Sequence, residues 1–190
     1  MSRGLGDVYK RQVLDIGGGT TDVAVISLGE IVSSTSLKIA GDTFDRDIIK
    51  FVKEEKKLLI GDRTAEEVKK NIGTAWKGSL HETMEVSGRD LVTGLPTTIS
   101  LCSEEIQGSM AESLQDVVRA CKTVLEQTPP ELASDIVTRG IVLTGGGALL
   151  HGIDELLRNE LHIPVYVAEN ALRCVAEGTG ILLENLHLVR

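Results

Sequence analysis

Two glycine-rich turns, each entered from an apolar run rich in β-branched residues, constrain this chain more than any other feature. The first is Asp15-Ile16-Gly17-Gly18-Gly19-Thr20-Thr21-Asp22, entered from Val13-Leu14. The second is Leu143-Thr144-Gly145-Gly146-Gly147-Ala148-Leu149, entered from Gly140-Ile141-Val142. Glycine admits positive φ and lets a ligand reach the backbone amides without meeting a Cβ. Two such turns, far apart in sequence, predict one nucleotide held from two sides. Its phosphates belong at one turn and its nucleoside at the other.

The pattern around the turns is α/β. Residues 13–16, 22–27 and 31–40 read as three strands, with a hairpin turn at Leu28-Gly29-Glu30. Gly41-Asp42 opens a helix to about residue 56, with Phe44, Ile48, Phe51 and Val52 on one face. Thr64-Ala65-Glu66-Glu67 has the form of a capping box and predicts a helix to about Trp76. Residues 82–89 and 95–102 are candidate strands. Ser103 can cap the longest helix, residues 104–127, whose apolar stripe is Ile106, Met110, Leu114, Val117, Cys121, Val124 and Leu125. Thr128-Pro129-Pro130 stops it. A strand over 139–144, a helix ending near Leu161, a strand over 164–168 and a helix capped by Asn170 complete the order. Gly178 and Gly180 interrupt that last helix, each costing roughly 1 kcal/mol against alanine, and predict close approach of a neighbour. Residues 58–138 are expected to form a small α+β unit inserted into the layer built from 13–57 and 139–190. Residues 1–12 lack any hydrophobic period, and Arg3, Lys10 and Arg11 make them basic within an acidic chain. They are expected to be a leader foreign to the fold, joined to a fragment; the alternative is a flexible native N-terminus.

A formal net charge of −8 argues against a nucleic-acid partner. No apolar run reaches membrane-spanning length, and no secretory signal opens the chain. Cys102, Cys121 and Cys174 are widely spaced and read as reduced, buried thiols of a cytosolic protein. His81, His151, His162 and His187 have no ligand spacing, so no side-chain metal site is expected.

The element order resembles one half of the actin, Hsp70 and sugar-kinase ATPase fold. Residues 15–22 look like its second phosphate loop and residues 143–150 like its adenosine loop. The closer resemblance is to the MreB/Mbl family of bacterial actin homologues, rod-shape-determining proteins. It is carried by residues 15–29 (DIGGGTTDVAVISLG), Ile39-Ala40-Gly41-Asp42, Gly94-Leu95-Pro96, TPPEL at 128–132 with Asp135-Ile136, and RGIVLTGGGALL at 139–150. The resemblance implies the second half of an actin-like fold, with a mixed five-stranded sheet, helices and an inserted subdomain. It implies ATP with Mg²⁺, Asp15 holding the metal through water, and the terminal phosphates gripped by the amides of Gly17, Gly18 and Gly19 with Thr20 and Thr21. Gly145, Gly146, Gly147 and Ala148 would line the purine and ribose. Gly41, Asp42 and Lys69 would lie near the sugar.

The resemblance further implies a self-assembling filament under the inner face of the membrane that directs wall synthesis with the elongation machinery. The protein is then cytoplasmic, and membrane-associated through a preceding half of the fold. That half would also carry the first phosphate loop and the water-activating glutamate, so ATP hydrolysis is expected of the longer protein and no catalytic residue of this chain. One position departs from the family pattern: Lys69-Lys70-Asn71-Ile72-Gly73 stands where a KxEIG carboxylate faces the ribose.

Simpler readings stand beside these. Asp15 can cap its own turn, Gly145 to Gly147 can be a tight strand-to-helix connection, and Asp42 can be a helix N-cap. Trp76 is expected to pack the inserted unit, and Cys121 the core. The competing functions are an Hsp70-like chaperone ATPase domain, a sugar-kinase-like or acetate-kinase-like phosphotransferase, and a cell-division or pilus-assembly actin relative.

Overall fold

In the computed structural model, which describes residues 10–184, β1 (Lys10–Ile16) is the central strand of a five-stranded sheet. β2 (Thr21–Ser27) and β3 (Glu30–Leu37) continue it as an antiparallel meander. Two later strands, β7 (Ile141–Thr144) and β8 (Val165–Val167), join in parallel on its other side, giving the order β3-β2-β1-β7-β8. Alternation sorts the faces. Leu14, Ile16, Val23, Val25, Ile141 and Leu143 are all buried, and the register Leu14↔Val23 and Leu14↔Leu143 puts them on one face.

A second sheet, order β4-β5-β6, is built from β4 (Leu58–Leu59), β5 (Thr83–Asp90) and β6 (Pro96–Cys102). α1 (Gly41–Glu55) precedes β4 and α2 (Asp62–Ile72) follows it, and α1 packs on α2, on β4 and on α3 (Ser103–Glu126). α3 carries the expected stripe: Ile106, Met110, Leu114, Val117, Cys121 and Val124 are buried, and Leu125 is half-buried. Burial pushes the Cys121 thiol up to about 12, so it is a core side chain. Trp76 is half-buried against the core.

The block 58–138 is split by its packing. The small sheet closes at Cys102, whereas α3 lies on β2 and β3, and α4 (Pro130–Arg139) lies on β1. α4 has no counterpart in the sequence reading. Pro130 stands in its first turn, where a missing N–H removes no helical bond, so the prolines that end α3 also begin α4. Strand β7 consequently starts at Ile141, after Gly140 at φ 83°. α5 (Ile153–Leu161) and α6 (Cys174–Glu184) complete the described fold.

Several boundaries differ from expectation. β1 begins at Lys10, so residues 10–12 of the expected leader belong to the sheet; residues 1–9 lie outside the described residues. β3 ends at Leu37. α2 starts at Asp62 behind Gly61, which turns Glu66 and Glu67 to ion pairs with Lys70 and Arg63 instead of a cap. Cys102, not Ser103, occupies the N-cap of α3, and Glu105 Oε2 accepts its amide at 3.1 Å. α6 starts four residues after Asn170, and a Cβ at Gly178 or Gly180 would meet nothing within 4 Å.

Gln12 is fully buried on the apolar face of β1, opposite Val25 and Ile141. Both of its amide atoms lack a hydrogen-bond partner among the described residues. Removing two buried unsatisfied polar atoms while keeping volume is stabilising, so Gln12→Met should raise the unfolding free energy by about 1–3 kcal/mol. Urea denaturation checks this; an unchanged or lowered midpoint would show that the amide is satisfied in solution.

Candidate functional site

β1 and β7 run parallel in the register Asp15↔Thr144, so both strands end at the same edge of the sheet and their glycine turns emerge together. Gly145 sits at φ 82°, and a Cβ there would collide with Ile16 O and with Asp15 Oδ1. A Cβ on Gly147 would collide with the Ile16 side chain. These two glycines therefore let the second turn close onto the end of β1. Gly145 N donates to Ala171 O at 2.8 Å, tying the turn to the stretch before α6.

In the first turn Gly17 N donates to Thr20 O at 2.9 Å. Its carbonyls are held by the start of α1: Gly41 N donates to Gly17 O at 3.1 Å, and Asp42 N to Gly18 O at 2.8 Å. The amides of Gly18 and Gly19 have no acceptor among the described residues and stand exposed. None of the three glycines of this turn is at positive φ. Of the two things glycine permits, positive φ and open amides, this turn uses the second. Ala40 is the N-cap of α1, so Asp42 lies in its first turn and is not the cap.

A cleft of about 960 Å³ opens between the turns, α1 and α2. Of the residues expected at the site, Gly17, Gly18, Gly41, Asp42, Lys69, Gly146 and Gly147 line it. Asp15, Gly19, Thr20, Thr21, Gly145 and Ala148 do not. Thr21 is fully buried and donates to Ile39 O at 2.6 Å, because strand alternation turns it away from the turn. Ala148 is buried. Thr20 Oγ1 donates to Asp22 Oδ2 at 3.2 Å. Asp15 Oδ1 is buried beside Gly145 and has no hydrogen-bond partner among the described residues.

Lys69, in the last turn of α2, donates to Gly41 O at 3.0 Å and pairs with Asp45 Oδ2 at 2.8 Å. The two side chains are only 15% and 13% exposed, so this pair joins α1 to α2 on the cleft floor. Burial pushes the Asp45 carboxyl above its ordinary range, against the lowering influence of Lys69. Asn71 also lines the cleft, and its Nδ2 donates to Glu67 O at 2.8 Å. Sequence reasoning missed Asp45, which looks like an ordinary helix-face acid, and His151, which lines the far wall.

A family model described as MreB/Mbl protein matches residues 7–190, starting inside the stretch 1–12. The cell shape-determining protein Mbl of Bacillus cereus is 58% identical over 174 residues, which cover 92% of this chain and 52% of that protein. MreB5 of Spiroplasma citri bound to AMPPNP matches with TM-score 0.90 and 42% identity, over 94% of this chain and 54% of that one. Its ADP-bound structure gives 0.90 and 43% with the same coverage. The chain spans about half the length of the curated relatives it matches.

Removing Lys69 leaves a buried carboxylate with neither oxygen paired, so Lys69→Met should destabilise the fold by about 2–4 kcal/mol at neutral pH. The remaining influences on Asp45, burial with Glu66 and Asp42, all raise its pKa. Stability from such a group is full below the unfolded-state pKa and is lost as pH rises through the higher folded-state value. The Lys69→Met penalty should therefore shrink from neutral pH toward about pH 4. Denaturation midpoints across that range check it; a penalty that is constant or grows in acid would assign the loss to another contact.

Proposed function

The chain belongs to the MreB/Mbl family, and from that premise we propose that it supplies one half of the ATP site of an actin-like cell-shape protein. The observation that carries this reading is the shared cleft: Gly17 and Gly18 line one wall, and Gly146 and Gly147 the other. The phosphates lie over the free amides of the first turn, where stacked N–H donors serve an anion at low desolvation cost. The nucleoside lies against the second turn, between Gly146 and the α2 residues Lys69 and Asn71. The AMPPNP and ADP complexes of MreB5 support the ligand class.

Mg²⁺ fits the charges present. Besides His151, the ionisable side chains lining the cleft are Asp42, Asp45, Asp62 and Glu66 against Arg63, Lys69 and Lys70. Lys69 is already paired with Asp45, and Lys70 with Glu66. Such a cleft does not neutralise a triphosphate by itself, and a divalent cation does. Asp15 Oδ1, a buried acceptor without a donor among the described residues, is the group that would hold the metal's water. When bound, the ion would supply charge neutralisation of the phosphates; Asp15 would hold its water, and the turns would fix the nucleotide. In the longer protein this site drives self-assembly into a filament beneath the cytoplasmic membrane that guides the wall-elongation machinery. The chaperone and phosphotransferase alternatives rest on the first turn alone and lose their support once the family is known.

Calorimetric titration with Mg–AMPPNP tests the site. Gly146 is exposed, not at positive φ, and a Cβ there would stand 3.4 Å from Leu172 Cδ2. Gly146→Val should fill the cleft and abolish binding while changing stability by less than about 1 kcal/mol. Gly145→Ala should instead destabilise the fold by about 2–5 kcal/mol, through forbidden backbone and collision with β1. Asp15→Ala should weaken Mg–AMPPNP but not metal-free AMPPNP. Unimpaired binding in Gly146→Val would make the second turn a connector only.

A further inference from the structure

His151 follows the second glycine turn and meets the connection between α2 and β5, which is remote in sequence. Its carbonyl accepts from Ala75 N at 2.7 Å and from Thr74 Oγ1 at 3.2 Å. Its Nδ1 stands 3.3 Å from Thr74 Oγ1 and 3.2 Å from Ser79 Oγ, two hydroxyls themselves 2.8 Å apart. Ser79 Oγ donates to Trp76 O at 2.8 Å. With that proton committed, the Ser79 oxygen is the acceptor for a protonated Nδ1. Gly152, at φ 71°, lets the chain pass against Trp76: a Cβ would lie 2.9 Å from Trp76 Cβ.

Thr74 is buried, and its hydroxyl bonds within this cluster, to Trp76 O, Ser79 and His151. The cluster therefore joins the wall carrying Gly146 and Gly147 to the segment that leads into the small sheet. His151, Gly73 and Leu80 from both sides of the junction line the cleft. We propose that the Thr74–Ser79–His151 cluster is a fastener that couples occupancy of the cleft to the position of the small sheet, with His151 as its positioning residue. The coupling rests on the nucleotide reading given above; the fastening itself does not. A nucleotide seated on Gly146 and Gly147 presses the turn that bears His151, and the hydroxyl bonds carry that displacement to residues 74–79.

Trp76, the single tryptophan of the chain, sits inside the junction and reports on it. Mg–AMPPNP should shift its emission in the native chain. His151→Ala should remove the shift and weaken nucleotide binding about three- to tenfold, the scale of one or two lost hydrogen bonds. His151→Asn, whose Nδ2 can still donate to Ser79 Oγ, should restore both, which a general packing defect would not. Without nucleotide, exchange of the Ala75 amide should be about three- to tenfold faster in His151→Ala than in the native chain. Ser79→Ala should give the same acceleration and serves if His151→Ala fails to fold. Failure of Mg–AMPPNP to bind the native chain defeats the nucleotide reading and with it the coupling, while amide exchange still decides the fastening. Native-like exchange in both alanine variants overturns the fastener, and a native-like Trp76 shift in His151→Ala overturns the coupling.

Discussion

The parallel pairing of β1 with β7 is the contact on which the site depends. Parallel neighbours need a crossover, and here the crossover holds β2 through α4, so the pairing closes a very long loop. Its register, Asp15↔Thr144, decides that two strands remote in sequence stop at the same level. β1 also turns back antiparallel into β2 at that level, so the strand order reverses there and a crevice opens at the strand ends. A slip of one residue would turn Leu143 out of the core and carry Gly145 away from Ile16 O, removing both the core contact and the closure of the second turn.

The site is then held mainly by backbone. The first two amides of α1 are bonded to the carbonyls of Gly17 and Gly18, so this helix N-terminus braces the first glycine turn from behind. The amides of Gly18 and Gly19 are left without an acceptor among the described residues, and Gly18 lines the cleft. Across it, Lys69 binds Gly41 O as well as Asp45, which fixes α2 to the same residue that braces the turn. The floor of the cleft is thus one connected set of contacts running from the first glycine turn through α1 to α2. His151 and Thr74 close the circuit from the second turn back to the end of α2.

What the sequence made legible was local. Turn composition marked both ends of the site, and a 3.6-residue period marked α3, because each signal lies within a few residues. α4 was hidden because Pro129-Pro130 is a stop signal read forward and a start signal read from the other side. The resemblance puts Thr21 at the phosphates, whereas the first strand position of β2 points it into the core toward Ile39 O. Asp45 and His151 carry no local mark at all. Their roles come from Lys69 on another helix and from Thr74 on another connection, and only tertiary packing brings those together.

The glycines divide by what demands them. At Gly145 and Gly147 the demand is internal, since β1 occupies the space a side chain would need. At Gly146 and Gly18 the fold demands nothing: a Cβ would have only Leu172 Cδ2 at contact distance in the first case and only Asp42 Oδ1 in the second. Glycine in such a place costs about 0.5–1 kcal/mol of chain entropy relative to alanine. Neither backbone geometry nor packing offsets that cost inside this chain. Both glycines line the cleft, where a missing Cβ leaves backbone amides approachable on one side and an unobstructed turn on the other. Gly145 and Gly147 thus hold the second turn against β1, while Gly18 and Gly146 keep the space between the two turns open.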